Sequence, residues 1–408
     1  MAFHVISALS LASHSELLKG SLKPGVMKSF SNSIIRKGVG TMLIIFSILF
    51  VFILILAGTL LAYSPGKVRS IADKDGNPLA GSISEKIFVN INGTKQGMFI
   101  KSKNADNPVL LYLHGGMPDY FLTKKYPTGL ENLFTVVWWE QRGSGLSYKA
   151  GLTPESMTLE QMKSDTREVT NYLRKRFRKE KIYLMGHSGG TFIGIQVAAE
   201  SPELYHAYLG VAQMSNQLKS EVLAYEYMLK KFRDTGNTKY VRKLEAAPVT
   251  LERGTPDVYR RLRDPAMHSL GIGTTHDMNS VITGIFIPSL LCSEYTLREK
   301  LDTWVGKSRS GISILWDEMQ ATDLSLKITT LSIPVYFFEG IYDYTCSSVE
   351  AKSYFDKLSA PVKEYYTFMK SAHSPIFEEP EKIQHIIKED VLSGENKLAD
   401  NDFKNNQI

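Results

Sequence analysis

The stretch that decides the fold is Lys181-Ile-Tyr-Leu-Met-Gly-His-Ser-Gly-Gly-Thr-Phe-Ile-Gly-Ile-Gln196. Residues 181–185 form a short apolar run typical of a buried strand, and residues 190–200 keep the apolar spacing of a helix. Between them lies a G-x-S-x-G pattern centred on Ser188, whose flanking glycines permit a sharp turn from strand to helix. Because such a turn lifts the hydroxyl clear of the backbone, we predict that Ser188 is a nucleophile.

Apolar runs of strand length surround this turn. An Asn-Gly pair at 92–93 joins two alternating segments, 87–92 and 95–101, and predicts an antiparallel hairpin. The later runs are 109–113, 135–139, 182–185, 208–211, 335–338 and 363–368, and helical patterns lie at 158–178, 190–200, 348–358 and 378–391. Continuous apolar strands alternating with helices predict an α/β fold, with a mostly parallel eight-stranded sheet and helices on both of its faces.

The alternation of strands and helices stops between Gln213 and about Lys327, where helix-like stretches replace it. We interpret residues 216–326 as an inserted helical cap between a first core part, 83–215, and a second, 327–393. A cap at this point would cover the carboxyl ends of the strands, where open α/β sheets bind ligands. The polar tail, 394–408, is predicted to be disordered.

A transmembrane helix is predicted ahead of the globular part. Residues 41–62 carry no charge, and 22 residues can span a bilayer. We favour an uncleaved anchor over a signal peptide, because the apolar run is long and about 40 residues precede it. Residues 63–82 then form a linker.

The basic residues near the anchor bear on its orientation. Those before the span, Lys23, Lys28, Arg36 and Lys37, slightly outweigh those after it, Lys67, Arg69 and Lys74. This bias favours a cytoplasmic N-terminal segment, 1–40, and an extracytoplasmic catalytic domain at the cell membrane. Met27 is an alternative start.

A serine nucleophile needs a base and an acid that orients the base. Asp343 follows the strand that ends at Phe338, and His373 follows the strand that ends at Phe368. Taken singly, the aspartate could form a turn and the histidine could cap a helix. Together they complete the chain order Ser, Asp, His of a possible catalytic triad.

The same chemistry needs backbone N–H groups for an oxyanion. One donor is predicted at Gly189, directly after the nucleophile, and the second in the loop His114-Gly-Gly-Met-Pro118. We assign the second donor to Gly116, with Gly115 as the alternative.

Composition excludes several other classes of function. The net charge of +6 comes without a basic patch interleaved with aromatic residues, so nucleic acid is not an expected partner. The two cysteines, Cys292 and Cys346, have no metal-ligand spacing, and we expect neither a metal nor another cofactor. A disulfide between them is possible, but isolated buried thiols are favoured. The oligomeric state stays open.

Several motifs together resemble the prolyl-iminopeptidase-like group of α/β-hydrolases, a family of serine aminopeptidases. These are the His114 loop, the segment 138–147 (Trp-Trp-Glu-Gln-Arg-Gly-Ser-Gly-Leu-Ser), the Ser188 turn, Gly340-Ile-Tyr-Asp343 and the late His373, spread over about residues 83–393. The chain departs from the group at Met117, at Gly189 and at Glu140, where the group usually has proline, often tryptophan, and aspartate. The group holds the substrate's amino group with cap glutamates, and Glu226, Glu294 and Glu318 do not match that pattern.

The leading hypothesis is a membrane-anchored serine hydrolase that forms an acyl-enzyme. The resemblance implies an aminopeptidase acting on short peptides, while an esterase or another small amide hydrolase would use the same triad. A serine at the strand-to-helix turn argues against dehalogenase and epoxide-hydrolase chemistry, for which resembling enzymes use aspartate there. A hypothesis of another class is a catalytically silent binding protein at the cell surface, since fold alone does not establish activity.

Overall fold

The computed structural model describes residues 24–307, 309 and 311–400. The chain divides into two compact units, with the division between Ala62 and Tyr63. The first contains one long helix, α1 (Pro24–Ala62). Its part Gly38–Ala62 has a mean hydropathy of 3.0 and is long and apolar enough to cross a membrane. The helix begins well before the predicted span at 41, and the first 23 residues of the predicted N-terminal segment lie outside the described residues.

The second unit is built on an eight-stranded sheet. Its strands are β1 (Ile83–Ile91), β2 (Thr94–Ser102), β3 (Val109–Leu113), β4 (Thr135–Glu140), β5 (Ile182–His187), β6 (Tyr205–Val211), β7 (Val335–Gly340) and β8 (Lys363–Phe368). They lie in the order β1-β2-β4-β3-β5-β6-β7-β8. β2 pairs antiparallel with β1 and β4, and all other neighbours pair parallel. The predicted fold class is therefore confirmed.

Local chemistry explains the start of the sheet. The hairpin turn uses Asn92 at φ 47° and Gly93 at φ 75°, the left-handed pair that tight antiparallel turns require. Further along, β3, β4 and β5 are buried at every residue. Their side chains enter two hydrophobic clusters, one containing Leu111 and Leu184 and the other Leu110 and Met185. Since successive residues of a strand point to opposite faces, the two clusters lie on opposite faces of the sheet.

Helices cover both faces of the sheet and form the cap. The core helices are α2 (Leu159–Phe177), α3 (Gly189–Glu200), α12 (Ser348–Lys357), α13 (Pro375–Glu378) and α14 (Pro380–Ile386). The helices between β6 and β7 are α4 (Gln217–Asp234), α5 (Thr238–Glu245), α6 (Asp257–Ser269), α7 (Ile287–Leu291), α8 (Leu297–Lys307), α9 (Gly311–Ile314), α10 (Trp316–Ala321) and α11 (Leu324–Lys327). Short π-helical turns, Ile282–Phe286 and Ile387–Val391, adjoin α7 and α14.

The cap has a hydrophobic core of its own. Side chains of α4, α5 and α6 pack together there, among them Met228, Leu244 and Tyr259. The predicted helix 378–391 is divided, because Pro380 starts a new helix and cannot continue the previous turn.

The end of the described chain differs from expectation. The backbone N–H groups of Lys397 and Leu398 donate to the buried carboxylate of Asp390 at 3.0 and 2.9 Å. Leu398 packs against the core, and Asp400 accepts a bond from the Thr367 N–H at 2.7 Å. The prediction of disorder is thus wrong for residues 394–400, because a buried carboxylate and an apolar contact offset their polar composition. Residues 401–408 lie outside the described residues.

Candidate active site

Ser188 lies at the turn between β5 and α3 with φ 55° and ψ −126°. Positive φ is costly for a residue with a Cβ, so the surrounding structure must hold this conformation. The neighbouring glycines allow it. A Cβ on Gly190 would lie 2.2 Å from the Leu113 carbonyl oxygen, and one on Gly186 would lie 2.8 Å from the Thr191 Cα. The G-x-S-x-G spacing therefore follows from close backbone packing around the strained serine.

Asp343 and His373 meet although the sequence separates them. They follow β7 and β8, and His373 Nδ1 donates to Asp343 Oδ2 at 2.8 Å. The other carboxylate oxygen, Oδ1, accepts from the backbone N–H groups of Thr345 and Cys346 at 2.7 and 3.0 Å. Asp343 is buried behind the imidazole, whereas His373 lines the same cavity as Ser188. Because a carboxylate only accepts, Nδ1 carries the proton and Nε2 keeps a lone pair.

The electrostatics favour a neutral imidazole. Burial lowers the pKa of His373 and outweighs the opposing charge and hydrogen bond of Asp343, so the net shift is downward. The His373 ring can therefore accept a proton at neutral pH.

The loop after β3 approaches the serine closely. A Cβ on Gly115 would lie 2.7 Å from the Ser188 Cβ, whereas one on Gly116 would meet nothing within 4 Å. Both glycines line the cavity, as does Gly189, the first residue of α3. The first N–H groups of a helix have no partner inside it, so this end can donate to an anion.

His114 holds this loop in place. Its Nδ1 donates to the Gly115 carbonyl at 2.8 Å, and its Nε2 accepts from the Gln141 N–H at 3.1 Å. Burial lowers the pKa of His114 to about 4, which keeps the ring in this neutral form. The Gln141 side chain also donates to the His114 carbonyl at 2.8 Å. The motif after β4 therefore supports the loop after β3.

The rest of that motif is structural. Arg142 makes a buried ion pair with Asp165, with Nε at 2.6 Å from Oδ2, which ties the motif to α2. Glu140 accepts from the Leu146 N–H at 2.5 Å and from the Tyr295 hydroxyl, and burial raises its pKa to about 8. None of these three acidic and basic side chains is among the described residues that line the cavity.

Two supports of the His373 loop were not predicted from the sequence. His187 Nε2 lies 2.8 Å from the His373 carbonyl oxygen, and its Nδ1 lies 3.3 Å from Asp119 Oδ2. Burial acts to lower the pKa of His187, but the hydrogen bond and charge of Asp119 outweigh it and the net shift is upward. The sequence did offer one signal for this role: His187 directly precedes Ser188 and must therefore lie beside it.

The second support is Glu378. Its Oε1 accepts from the N–H groups of Ala372 and Ser374 at 2.9 and 3.1 Å, on either side of His373. Its Oε2 accepts from the N–H of His276, a cap residue, at 2.6 Å. Burial raises the pKa of this carboxyl to about 7. Glu378 thus fastens the histidine loop to the cap.

A cavity of about 480 Å³ joins Ser188 and His373 to the cap, a size suited to a small ligand. Apolar side chains line much of it, among them Met117, Phe121, Ile285, Ile312, Trp316 and Phe377. The predicted catalytic serine and histidine lie on its sheet side, and charged side chains lie on its cap side.

Several charged cap residues at the cavity pair with one another. Glu221 is fully buried and accepts two bonds from Arg263 Nε at 2.9 and 2.8 Å. It also accepts from Gln217 at 2.8 Å and from the Tyr259 hydroxyl at 3.0 Å. Arg263 further pairs with Asp264 at 3.0 Å. The buried cap carboxylate is therefore neutralised by an arginine.

The cap acids singled out in the sequence lie elsewhere. Glu226 and Glu318 are exposed, and Glu294 pairs with Lys101 at 3.1 Å. None of the three is among the described residues lining the cavity. In the part of the chain that the structure describes, no cluster of side chains could hold a metal ion, and both cysteines are free and buried.

Comparisons with known proteins identify the family of this chain. Residues 113–269 match the family described as serine aminopeptidase, S33. The chain is 30% identical over 307 residues to the probable aminopeptidase YbaC of Bacillus subtilis (strain 168), covering 74% of this chain and 95% of that protein.

Two solved structures share the fold. The proline iminopeptidase-related protein TTHA1809 from Thermus thermophilus has a TM-score of 0.52 and 18% identity, with 75% of this chain and 96% of that chain covered. VinJ has a TM-score of 0.53 and 15% identity, with coverage of 76% and 98%. The chain belongs to the serine aminopeptidase S33 family and is a serine-type hydrolase with the α/β-hydrolase fold.

Proposed function

We propose that this enzyme cleaves its substrate through an acyl-enzyme formed on Ser188. His373 is the general base and then the general acid, and Asp343 orients its ring. Gly116 and Gly189 bind the oxyanion through their N–H groups. The observation that carries the proposal is the 2.8 Å bond from His373 Nδ1 to Asp343, which leaves the lone pair on Nε2 of a ring that lines the same cavity as Ser188.

The chemistry proceeds in two halves. Ser188 Oγ attacks the substrate carbonyl carbon while His373 Nε2 takes the hydroxyl proton, and the carbonyl oxygen becomes an oxyanion. Collapse of this intermediate breaks the bond to the leaving amine or alcohol, which receives that proton from Nε2. A water then gives one proton to Nε2 and attacks the acyl carbonyl carbon. Collapse of this second intermediate breaks the bond to Ser188 Oγ, which takes the proton back from Nε2, and releases the acid. The Asp343 carboxylate stabilises the imidazolium at each stage.

We propose an aminopeptidase acting on short peptides as the first choice of activity. Family membership and the relative described as a probable aminopeptidase support it. The mixed lining of the cavity, apolar with a charged cap side, also suits a peptide with one apolar side chain.

An esterase or small amide hydrolase is the second candidate, and the cap favours it in one respect. A peptide's ammonium group needs a carboxylate, but Glu221 is held by Arg263 and Asp317 pairs with Arg260 at 2.7 Å. Asp264 also faces Arg263. A neutral acyl group makes no such demand on these acids.

Membrane anchoring is part of the proposal. The uncharged residues 41–62 would span the bilayer, with the N-terminus cytoplasmic and the catalytic unit outside. Protease treatment of intact cells tests the orientation, and protection of the catalytic unit would contradict it.

A fluorophosphonate probe tests the chemistry, because it labels an activated serine. We expect labelling of the wild type and of Ser156→Ala, a surface serine whose Oγ bonds only Thr153 among the described residues, and no labelling of Ser188→Ala. An unlabelled wild type, or equal labelling of Ser188→Ala, would favour a silent binding protein.

Comparing the hydrolysis of prolyl and other aminoacyl arylamides with that of short-chain aryl esters then decides between the two candidate activities. Preference for N-blocked substrates would exclude the aminopeptidase.

A further inference from the structure

An apolar face on the cap lies open to its surroundings. The segment from Asn279 to Ser293 contains no Asp, Glu, Lys or Arg. It forms the π-helical turn Ile282–Phe286 and α7, and its outward side chains are Ile282, Phe286, Ile287 and Leu291, at 63%, 40%, 42% and 38% exposure. Apolar side chains scattered singly are normal on a surface, but a contiguous group marks an interaction site.

Helix α8 extends this face. The rings of Phe286 and Trp304 contact each other with centroids 5.0 Å apart, and the Trp304 indole N–H donates to Ser289 Oγ at 2.9 Å. Leu301 and Val305, one turn apart on α8, are 54% and 42% exposed. Together, Ile282, Phe286, Ile287, Leu291, Leu301 and Val305 are called the apolar face.

The apolar face lies next to the point where the chain enters this unit. Lys300 Nζ donates to the carbonyls of Tyr63 and Leu290, both at 2.6 Å, and to Ser64 Oγ at 2.9 Å. The Gly66 N–H donates to the Ser293 carbonyl at 3.1 Å. One ammonium group therefore ties the start of the catalytic unit to the end of α7.

The contact at Tyr63 matters because Tyr63 is covalently linked to the end of α1. Tyr63 directly follows Ala62, the last residue of the apolar helix α1, and consecutive Cα atoms are only about 3.8 Å apart. Any membrane that α1 enters therefore begins close to Tyr63, which is itself 44% exposed. The apolar face is fastened at this same place.

The other side of the segment faces the cavity. Val281 and Ile285 line it, and Gly284 between them packs closely on Met278. The segment is thus a wall with the cavity on one side and the apolar face on the other.

We propose that the apolar face docks into the interfacial region of the same bilayer in which α1 is anchored. Ile282–Leu291 is too short to span a membrane, and an uncharged helix with one apolar side outward suits the boundary between headgroups and acyl chains. The inference rests on the proposed anchoring and does not depend on the catalytic assignment. Docking would bring the Val281 and Ile285 wall of the cavity to the lipid surface.

The test uses the full-length chain reconstituted in phosphatidylcholine vesicles. Single cysteines replace Ile282 or Ile287 (Ile282→Cys, Ile287→Cys) and are labelled with an environment-sensitive fluorophore. The native Cys292 and Cys346 are buried. Wild type treated with the same fluorophore checks that these two thiols do not react. Leu326→Cys and Val349→Cys, at apolar positions 77% and 65% exposed outside the apolar face, are the matched controls.

We expect blue-shifted emission from both face labels and several-fold stronger quenching by phospholipids that carry nitroxide on their acyl chains than at the controls. Iodide in solution should show the reverse order. Quenching by nitroxide lipid equal to that of the controls, in protein that floats with the vesicles, overturns the docking alone. Protein that does not float with vesicles overturns the anchoring and the docking together. Labelling by fluorophosphonate in the same samples reports the catalytic proposal separately.

Discussion

The sheet edge and the cap place their polar groups in different ways. At the sheet edge, Ser188, Asp343 and His373 each follow a strand within a few residues, and backbone N–H groups hold the carboxylate. In the cap, Glu221 and Arg263 come from different helices and depend on each other. The backbone of the sheet therefore positions the proposed catalytic residues, whereas side-chain pairing in the cap shapes the cavity proposed to hold the substrate.

The largest expected effect is on the sheet edge. Asp343→Asn should lower kcat by about 10⁴-fold, because an amide in place of the carboxylate no longer fixes the proton on Nδ1 of His373. Steady-state kinetics on an aryl ester measure it. Asp356→Asn, which removes an exposed ion pair with Lys352 on α12, should leave kcat unchanged. Equal kcat for both variants would contradict the assignment of Asp343.

Substitutions in the cap should change the free energy of unfolding more than they change catalysis. Glu221→Gln leaves Arg263 without its buried counter-charge and should lower the free energy of unfolding by about 3 kcal/mol. Glu226→Gln, an exposed residue on the same helix, should change it little. Urea unfolding measures both variants.

The same variants test whether the Glu221 carboxylate contacts the substrate. If Glu221 serves only the ion pair, Glu221→Gln should keep the ratio of kcat/KM for aminoacyl arylamides to that for aryl esters. A rise in KM confined to arylamides with a free amino group would instead show that the carboxylate contacts the substrate.

The pH profile tests the electrostatics of the sheet edge. Because the pKa of His373 is lowered from 6.5, its basic form persists below that pH. We expect the acid limb of kcat/KM, measured with an aryl ester, to have its midpoint below pH 6.5 and to fall by up to about tenfold per pH unit beneath that midpoint. A midpoint of the acid limb above pH 6.5 would contradict the downward shift.

The smallest effect should come from the contact between the two regions. Glu378→Gln replaces an acceptor oxygen by an NH₂ group facing a backbone N–H, at a cost of about 1–3 kcal/mol that loosens the His373 loop. We expect kcat to fall several-fold, with fluorophosphonate labelling slowed but retained. The exposed Glu381→Gln is the control. A loss of stability with unchanged kcat would show that Glu378 does not position His373.

Much of the sheet could be predicted because its signals are local. The Asn92-Gly93 turn and the apolar strand runs depend on neighbouring residues, and β5 and α3 lie close to their predicted bounds. The order of Asp343 and His373 after their strands was enough to bring them together, since adjacent parallel strands end at the same edge.

Other features could not be predicted because they depend on distant partners. Periodicity cannot tell Glu221 from Glu226 as the acid at the cavity, since both belong to α4 and only packing against α6 buries the first. The same holds for Asp119 beside His187, and for Asp390, whose burial orders residues 394–400.

By itself, the sequence determined the α/β sheet, the strained turn at Ser188, the residues predicted to do the chemistry and an apolar segment long enough to span a membrane. These follow from short-range steric and hydrophobic patterns. Only the tertiary structure decided which cap charges neutralise each other, how Glu378 joins the cap to the His373 loop, and that the apolar face lies beside Tyr63. Each of these is a contact between segments distant in the chain, and it is fixed by packing.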